Sequence, residues 1–413
     1  MHYFSYKKNK LFCEDVEIEH LAETYGTPLY VYSTRTILEH FNKLKSALAE
    51  VNPLIAYSVK ANSNLAILKF LVDNGAGLDI VSGGELFRAK KVRCPGNKIV
   101  YASVGKTESE IREAISYGVL MFNIESLPEL IKINAISGSM NKKVKAAIRI
   151  NPDVQAKTHR YITTGKKGNK FGIDLEAARE IFLTREKYPN VTLAGIHMHI
   201  GSQITEGGPF VKALKRVVRF IGNLKKIGVS LEYLNIGGGL GIIYAKETPQ
   251  TALEFAQRVL PDLKKAGLNI VLEPGRFIVG NAAALIAHVT YVKETKSKTF
   301  IVVDAAMNDL IRPALYDAWH TILNVTRDNK ISRKPVDIVG PVCESGDFLG
   351  KGRSLVAKEG DYIAVLGAGA YGFSMSSNYN SRRKACEVLV DKSSVRVIRK
   401  RESYEDLINH EVL

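Results

Sequence analysis

Five short segments carry side chains that could do chemistry. In Ile55-Ala56-Tyr57-Ser58-Val59-Lys60-Ala61-Asn62 an apolar run ends on an ammonium group. A lysine placed there either snorkels to water along its own methylenes or is held with its amine neutral, ready to form a Schiff base with an aldehyde. Asp79 and Ser82 end a second apolar run. Asn235-Ile236-Gly237-Gly238-Gly239-Leu240-Gly241 follows a third, and glycines there serve either a plain tight turn or a cradle in which backbone N–H groups approach a phosphate. His197-Met198-His199-Ile200-Gly201-Ser202-Gln203 sets two histidines on one face of a strand, because side chains alternate with period two. Such a pair can bind a divalent metal, but that use wants further ligands at other strand ends, and His159, the other obvious histidine, falls in a loop; no metal is expected. In Glu273-Pro274-Gly275-Arg276 the carboxylate and guanidinium can be a simple ion pair, or Glu273 can keep a pyridine nitrogen protonated. A Schiff-base amine, an anion cradle and a carboxylate for a ring nitrogen are together what pyridoxal phosphate requires.

The elements that must position these groups alternate. Strand-like runs at 55–60, 77–82, 98–103, 121–124, 145–150, 193–200, 231–238 and 269–275 are separated by amphipathic helical stretches. Eight βα units predict a closed (β/α)8 TIM barrel, with an open doubly wound sheet as the alternative. A barrel gathers its chemistry at the C-terminal ends of its strands, and its phosphate sites in the loops after strands 7 and 8; the glycine run follows strand 7. Beyond residue 276 the texture turns to Val- and Ile-rich runs between turn residues, with helical stretches only near 312–323 and at the C-terminus. The expected fold class is therefore α/β: a barrel over 33–276, and a mostly-β domain over 277–413 completed by part of 1–32.

Composition narrows the class of partner. The 413 residues carry a net charge of +16, with a pI near 9.4, but the basic residues are scattered apart from Lys166-Lys167, Arg382-Arg383-Lys384 and Arg399-Lys400-Arg401. No recognition motif accompanies them, so a solvated basic surface is expected and no nucleic-acid partner. Cys13, Cys94, Cys343 and Cys386 show no C-x-x-C pairing, which suits a reducing cytoplasm. The N-terminus lacks the apolar core of a signal peptide, and no run approaches the ~20 apolar residues of a membrane span.

Tyr57-Ser58-Val59-Lys60-Ala61-Asn62, His199-Ile200-Gly201-Ser202-Gln203, the glycine run and Glu273-Pro274-Gly275-Arg276 resemble the barrel-type pyridoxal-phosphate decarboxylases, which share a fold with alanine racemase. Met307-Asn308-Asp309-Leu310-Ile311-Arg312-Pro313-Ala314-Leu315-Tyr316, Gly340-Pro341-Val342-Cys343-Glu344-Ser345 and Gly369-Ala370-Tyr371-Gly372 are similar, within that group, to the diaminopimelate decarboxylase family. The resemblance implies decarboxylation of meso-diaminopimelate to L-lysine and CO2, the last step of lysine biosynthesis. It implies that Lys60 carries the cofactor, that His199 stacks on its ring, that Glu273 pairs with the pyridinium, and that Gly237, Gly238, Gly239, Gly275 and Arg276 hold the phosphate. Asp79, Ser202 and Tyr371 join the cofactor site. Arg276, Arg312, Tyr316, Glu344 and Tyr371 grip the far end of the substrate, and Cys343 protonates the carbanion. Cys343 and Glu344 reach the site from the neighbouring subunit of a homodimer. Ala306, His159-Arg160 and Arg383 depart from the family's usual residues and touch only loop geometry. The alternative substrates, ornithine and arginine, present only a cation at the far end; two arginines with a carboxylate suit a distal zwitterion better.

Overall fold

Eight runs of buried apolar residues form parallel strands that close on themselves. In this computed structural model, which describes residues 2–154, 170–327 and 334–413, the strands are Leu54–Ser58, Gly77–Ile80, Ile99–Tyr101, Met121–Ile124, Val144–Arg149, Val191–His197, Tyr233–Asn235 and Asn269–Leu272. Each pairs with its sequence neighbour, and the last pairs with the first through Leu272 and Ile55. Closure rules out the open sheet. Ala56, Val100, Met121, Ala147 and Val271 pack together as one buried cluster, in which fully burying each valine or methionine side chain contributes about 1.5–3 kcal/mol.

The helices between strands follow from periodicity and caps. Gly208–Lys226 buries Phe210, Leu214, Val217, Ile221 and Leu224, spaced three or four apart on one stripe. Thr107 with Glu110 and Thr251 with Glu254 make reciprocal capping boxes that satisfy the first N–H groups of their helices. These strands and helices make up a unit comprising Phe41–Gly241 and Thr248–Phe277.

Seven of the eight strands end one to three residues before the sequence reading placed them, and at two of them the difference bears on the site. The first strand stops at Ser58, and Lys60 lies in a single 3-10 turn, Val59–Ala61. The sixth stops at His197, beyond which Gly201 (φ 148°) and Gln203 (φ 58°) turn the chain. Strand alternation therefore does not govern where His199 points.

The second unit comprises Met1–His40, Ile242–Glu247 and Ile278–Leu413. Its sheet runs, strand by strand, through Phe348–Arg353, Val336–Val339, Thr299–Val303, Ala283–Glu294, Leu29–Ser33, Cys386–Asp391 and Ser394–Arg399. Tyr362–Leu366 also pairs with the long Ala283–Glu294 strand, and Ile322–Asn324 pairs with Tyr362–Leu366. Where the sequence suggested helix as far as 323, only Arg312–Tyr316 is helical, because Asp317 turns left-handed (φ 49°) and releases the chain into the Ile322–Asn324 strand.

Among the described residues no helix is long and apolar enough to cross a membrane, and no group of three His, Cys, Asp or Glu is placed to hold a metal. His159, Arg160 and Lys166-Lys167 lie outside the described residues.

Candidate active site

Barrel register decides who meets Lys60. Ser58 and Asp79 are direct partners on neighbouring strands, so a lysine one turn past Ser58 reaches the same carboxylate. Lys60 Nζ lies 2.7 Å from Asp79 Oδ2 and 3.1 Å from Ser58 Oγ, and Ser58 also donates to Asp79. Burial, with the charge of Glu273, holds the Asp79 carboxyl above its ordinary range, although Lys60 and Ser58 pull the other way. The Lys60 side chain is 39% exposed. The Lys60 amine thus faces a carboxylate at hydrogen-bond distance, a group that can accept its proton.

Glu273 follows the eighth strand and is buried. Its Oε1 accepts from Asn235 Nδ2 at 2.6 Å and from Asn123 Nδ2 at 2.9 Å. His197 Nε2 stands 3.2 Å from Oε2, near enough for charge but off the angle of a hydrogen bond. Register supplies this clamp, since Asn235 pairs with both His197 and Val271 on its two sides. Burial alone would raise the carboxyl; His197, Lys60 and the Asn235 amide outweigh it and hold Glu273 well below the ordinary carboxylate range. Glu273 is a fixed anion clamped by Asn123, Asn235 and His197.

Arg276 instead donates from Nη2 to Ser202 Oγ at 3.0 Å. The glycine run shows why no larger residue could occupy it. A Cβ on Gly237 (φ 68°) would sit 2.5 Å from the Met198 carbonyl oxygen, and one on Gly238 would collide with that of Glu273. Gly238 N–H donates to His199 Nδ1 at 3.2 Å, which leaves the ring proton on Nε2. Burial, then Arg149 and Lys60, push the His199 imidazole well down, so it is neutral and can stack on a ring. Gly275 packs against Ala61 and Ser58, where a Cβ would come within 2.9 and 3.0 Å. The donor set fits pyridoxal phosphate: an amine, a fixed anion for a ring nitrogen, a neutral aromatic face, and a backbone-lined cradle beside Arg276 and Ser202.

The barrel unit therefore brings together Lys60, Asp79, His199, Ser202, Gly237, Gly238, Gly239, Glu273, Gly275 and Arg276. The remaining predicted residues belong to the β unit. Arg312 is buried at the start of its short helix, with its guanidinium 4.5 Å from the Tyr244 ring centre, and Tyr316 ends that helix. Tyr371 holds a left-handed backbone (φ 57°). Cys343 and Glu344 are exposed; Cys343 N–H donates to Asn380 Oδ1 at 2.9 Å, and Tyr379 Oη donates to Glu344 at 3.1 Å.

Sequence reading passed over Asn123, Asn235 and Glu85. A single polar residue inside Met121-Phe122-Asn123-Ile124, a wholly buried strand, is a usable signal, because a buried amide demands partners. Glu85 sits in the first turn of its helix, accepts from Val81 N–H at 2.7 Å, and is pushed up to about 7 by burial against the lowering pull of Lys60.

The family model described as "Pyridoxal-dependent decarboxylase, pyridoxal binding domain" matches residues 34–280. The chain is 49% identical over 409 residues to the diaminopimelate decarboxylase of Aquifex aeolicus, covering 98% of this chain and 96% of that one. The crystal structure of diaminopimelate decarboxylase from Helicobacter pylori complexed with L-lysine superposes with a TM-score of 0.92 at 42% identity, covering 95% and 98% of the two chains. The enzyme from M. jannaschii in co-complex with L-lysine gives 0.95 at 38% identity, covering 99% and 98%.

Proposed function

The chain belongs to the diaminopimelate decarboxylase family, and from that premise we propose how its own residues divide the work of converting meso-diaminopimelate to L-lysine and CO2. It is a pyridoxal-phosphate-dependent carbon–carbon lyase. Bound pyridoxal phosphate supplies an electron sink for the pair left behind when CO2 departs.

Lys60 holds the cofactor through Nζ, and Asp79 Oδ2, 2.7 Å away, takes the proton that the ammonium must lose first. Glu273, ionised and clamped, keeps the ring nitrogen protonated. Neutral His199 presents a flat face to the ring. Gly237, Gly238, Gly239, Gly275, Ser202 and Arg276 take the phosphate, with Tyr371 a further cofactor contact. Arg276, Arg312, Tyr316, Tyr371 and Glu344 hold the distal amino-acid end, and Cys343 delivers the proton that replaces CO2. The observation that carries this reading is the buried Glu273 anion with its three partners Asn123, Asn235 and His197, just past the strand that pairs directly with the one leading into Lys60.

Arg312→Ala should raise KM for meso-diaminopimelate roughly 10- to 100-fold, the worth of a charge-assisted hydrogen bond to a carboxylate. Coupled detection of L-lysine measures it, and unchanged kinetics would reject the distal-carboxylate role.

The same proposal makes the enzyme a homodimer whose sites are shared. The exposure of Cys343 and Glu344 on a single chain supports it. Lys60→Ala and Cys343→Ala proteins, each inactive, should regain about a quarter of wild-type activity when mixed and re-paired at random, because each hybrid dimer contains one intact site. No recovery would place both residues in a site built by one chain. A cytoplasmic setting completes the proposal and suits four cysteines that are all free thiols.

A further inference from the structure

Arg312 is held on two sides by groups that no assigned role explains. Its Nη1 lies 2.7 Å from His320 Nε2, and His320 Nδ1 lies 2.8 Å from the Leu366 carbonyl oxygen. A guanidinium only donates and a carbonyl only accepts, so the ring has one consistent state: proton on Nδ1, lone pair on Nε2, no net charge. His320 is fully buried. Its backbone is pinned as well, because the adjoining Thr321 carbonyl accepts from Leu366 N–H at 2.8 Å, where Ile322–Asn324 begins to pair with Tyr362–Leu366. Thr321 Oγ1 donates to the Tyr244 carbonyl oxygen at 3.0 Å, and the Tyr244 ring stands edge-on to His320 with centroids 5.1 Å apart. That same Tyr244 ring lies under the Arg312 guanidinium. A hydrogen bond in the plane of the fork and an aromatic face beneath it together set the fork's tilt and its rotation.

We infer that His320 is a positioning residue for substrate recognition: as a neutral Nδ1–H imidazole it aims the Arg312 guanidinium at the carboxylate that decarboxylation leaves in place. This rests on the proposed distal-carboxylate role of Arg312. A guanidinium on an unbranched stem otherwise samples many rotamers, and aligning it on binding costs affinity. Preorganisation by His320 and Tyr244 removes that cost from the binding step.

The test is a double-mutant cycle on the holoenzyme with His320→Ala, Arg312→Ala and the pair, together with His320→Gln. The readouts are KM and kcat for meso-diaminopimelate and the calorimetric Kd for L-lysine, which keeps the distal carboxylate. His320→Ala should raise KM and Kd about tenfold, within the range over which contacting side chains couple, with kcat near the parent value, as loss of uniform binding requires. In the Arg312→Ala background the same change should add little. His320→Gln, whose amide oxygen can accept from Arg312, should recover much of the loss and also provides a folded variant should the alanine protein be unstable. If Arg312→Ala itself leaves KM unchanged, the distal-carboxylate reading fails and this inference with it. If Arg312→Ala raises KM while His320→Ala does not, or the two effects add in full, the positioning role alone is overturned.

Discussion

Lys60→Ala protein, purified and supplied with pyridoxal phosphate, is expected to lack the visible absorbance band of a lysine-bound cofactor. Its turnover should fall by at least roughly 10⁴-fold, the upper end of what one positioned acid–base group contributes. On the proposed reading Nζ would hold the cofactor and give up a proton to Asp79 Oδ2, 2.7 Å away, and no other side chain of the cluster carries a primary amine. The substitution should leave the fold intact. Asp79 loses its ammonium partner, but burial and Glu273 already hold its carboxyl up, so it can become neutral by binding a proton instead of remaining an unpaired buried charge. Melting temperature measured beside the spectrum separates the two effects: a lost band with a near-parental melt is the expected pair, and a variant that keeps both band and turnover would remove Lys60 from the mechanism.

Glu273→Gln should lower kcat by about 10²–10³-fold, the usual effect of deleting one preorganised electrostatic group. The change isolates charge from shape. A glutamine oxygen can still accept from Asn123 and Asn235 where Oε1 does now, while the anion proposed to keep the ring nitrogen protonated is gone. His197, Lys60 and Asn235 outweigh the cost of burying the carboxylate, so neutralising it also removes stabilisation and the protein should melt below its parent, with kcat read on the folded protein. Single-turnover kinetics with meso-diaminopimelate give the number. A kcat within a few-fold of the parent would show that the ring needs no fixed anion.

The barrel was readable because each of its strands is a short, nearly continuous apolar run followed by a periodic helix, and eight such units have few ways to bury both faces. Individual positions were legible where one residue type has few uses: glycines in series, or a carboxylate at a strand end. The clamp on Glu273 was not, because Asn123, 150 positions away, reaches Oε1 only across the closed barrel, and Asn235, 38 positions away, only through the pairing of its strand with that of Val271. The partner of Lys60 was hidden for a related reason: an apolar run shows that a lysine at its end needs a partner, and only the pairing of Ser58 with Asp79 on the next strand delivers that carboxylate. In the β unit, Phe348–Arg353 was missed because Gly350, Lys351 and Gly352 break the Val and Ile pattern, and its place in the sheet is set by pairing with Val336–Val339.

Borohydride reduction of the holoenzyme, followed by proteolysis and mass spectrometry, tests the central claim most directly, because reduction fixes the pyridoxyl group on whichever amine bears it. The mass increment is predicted on the peptide containing Ser58-Val59-Lys60-Ala61-Asn62, and on that lysine. An increment on any other lysine, or none at all in an active preparation, would contradict it.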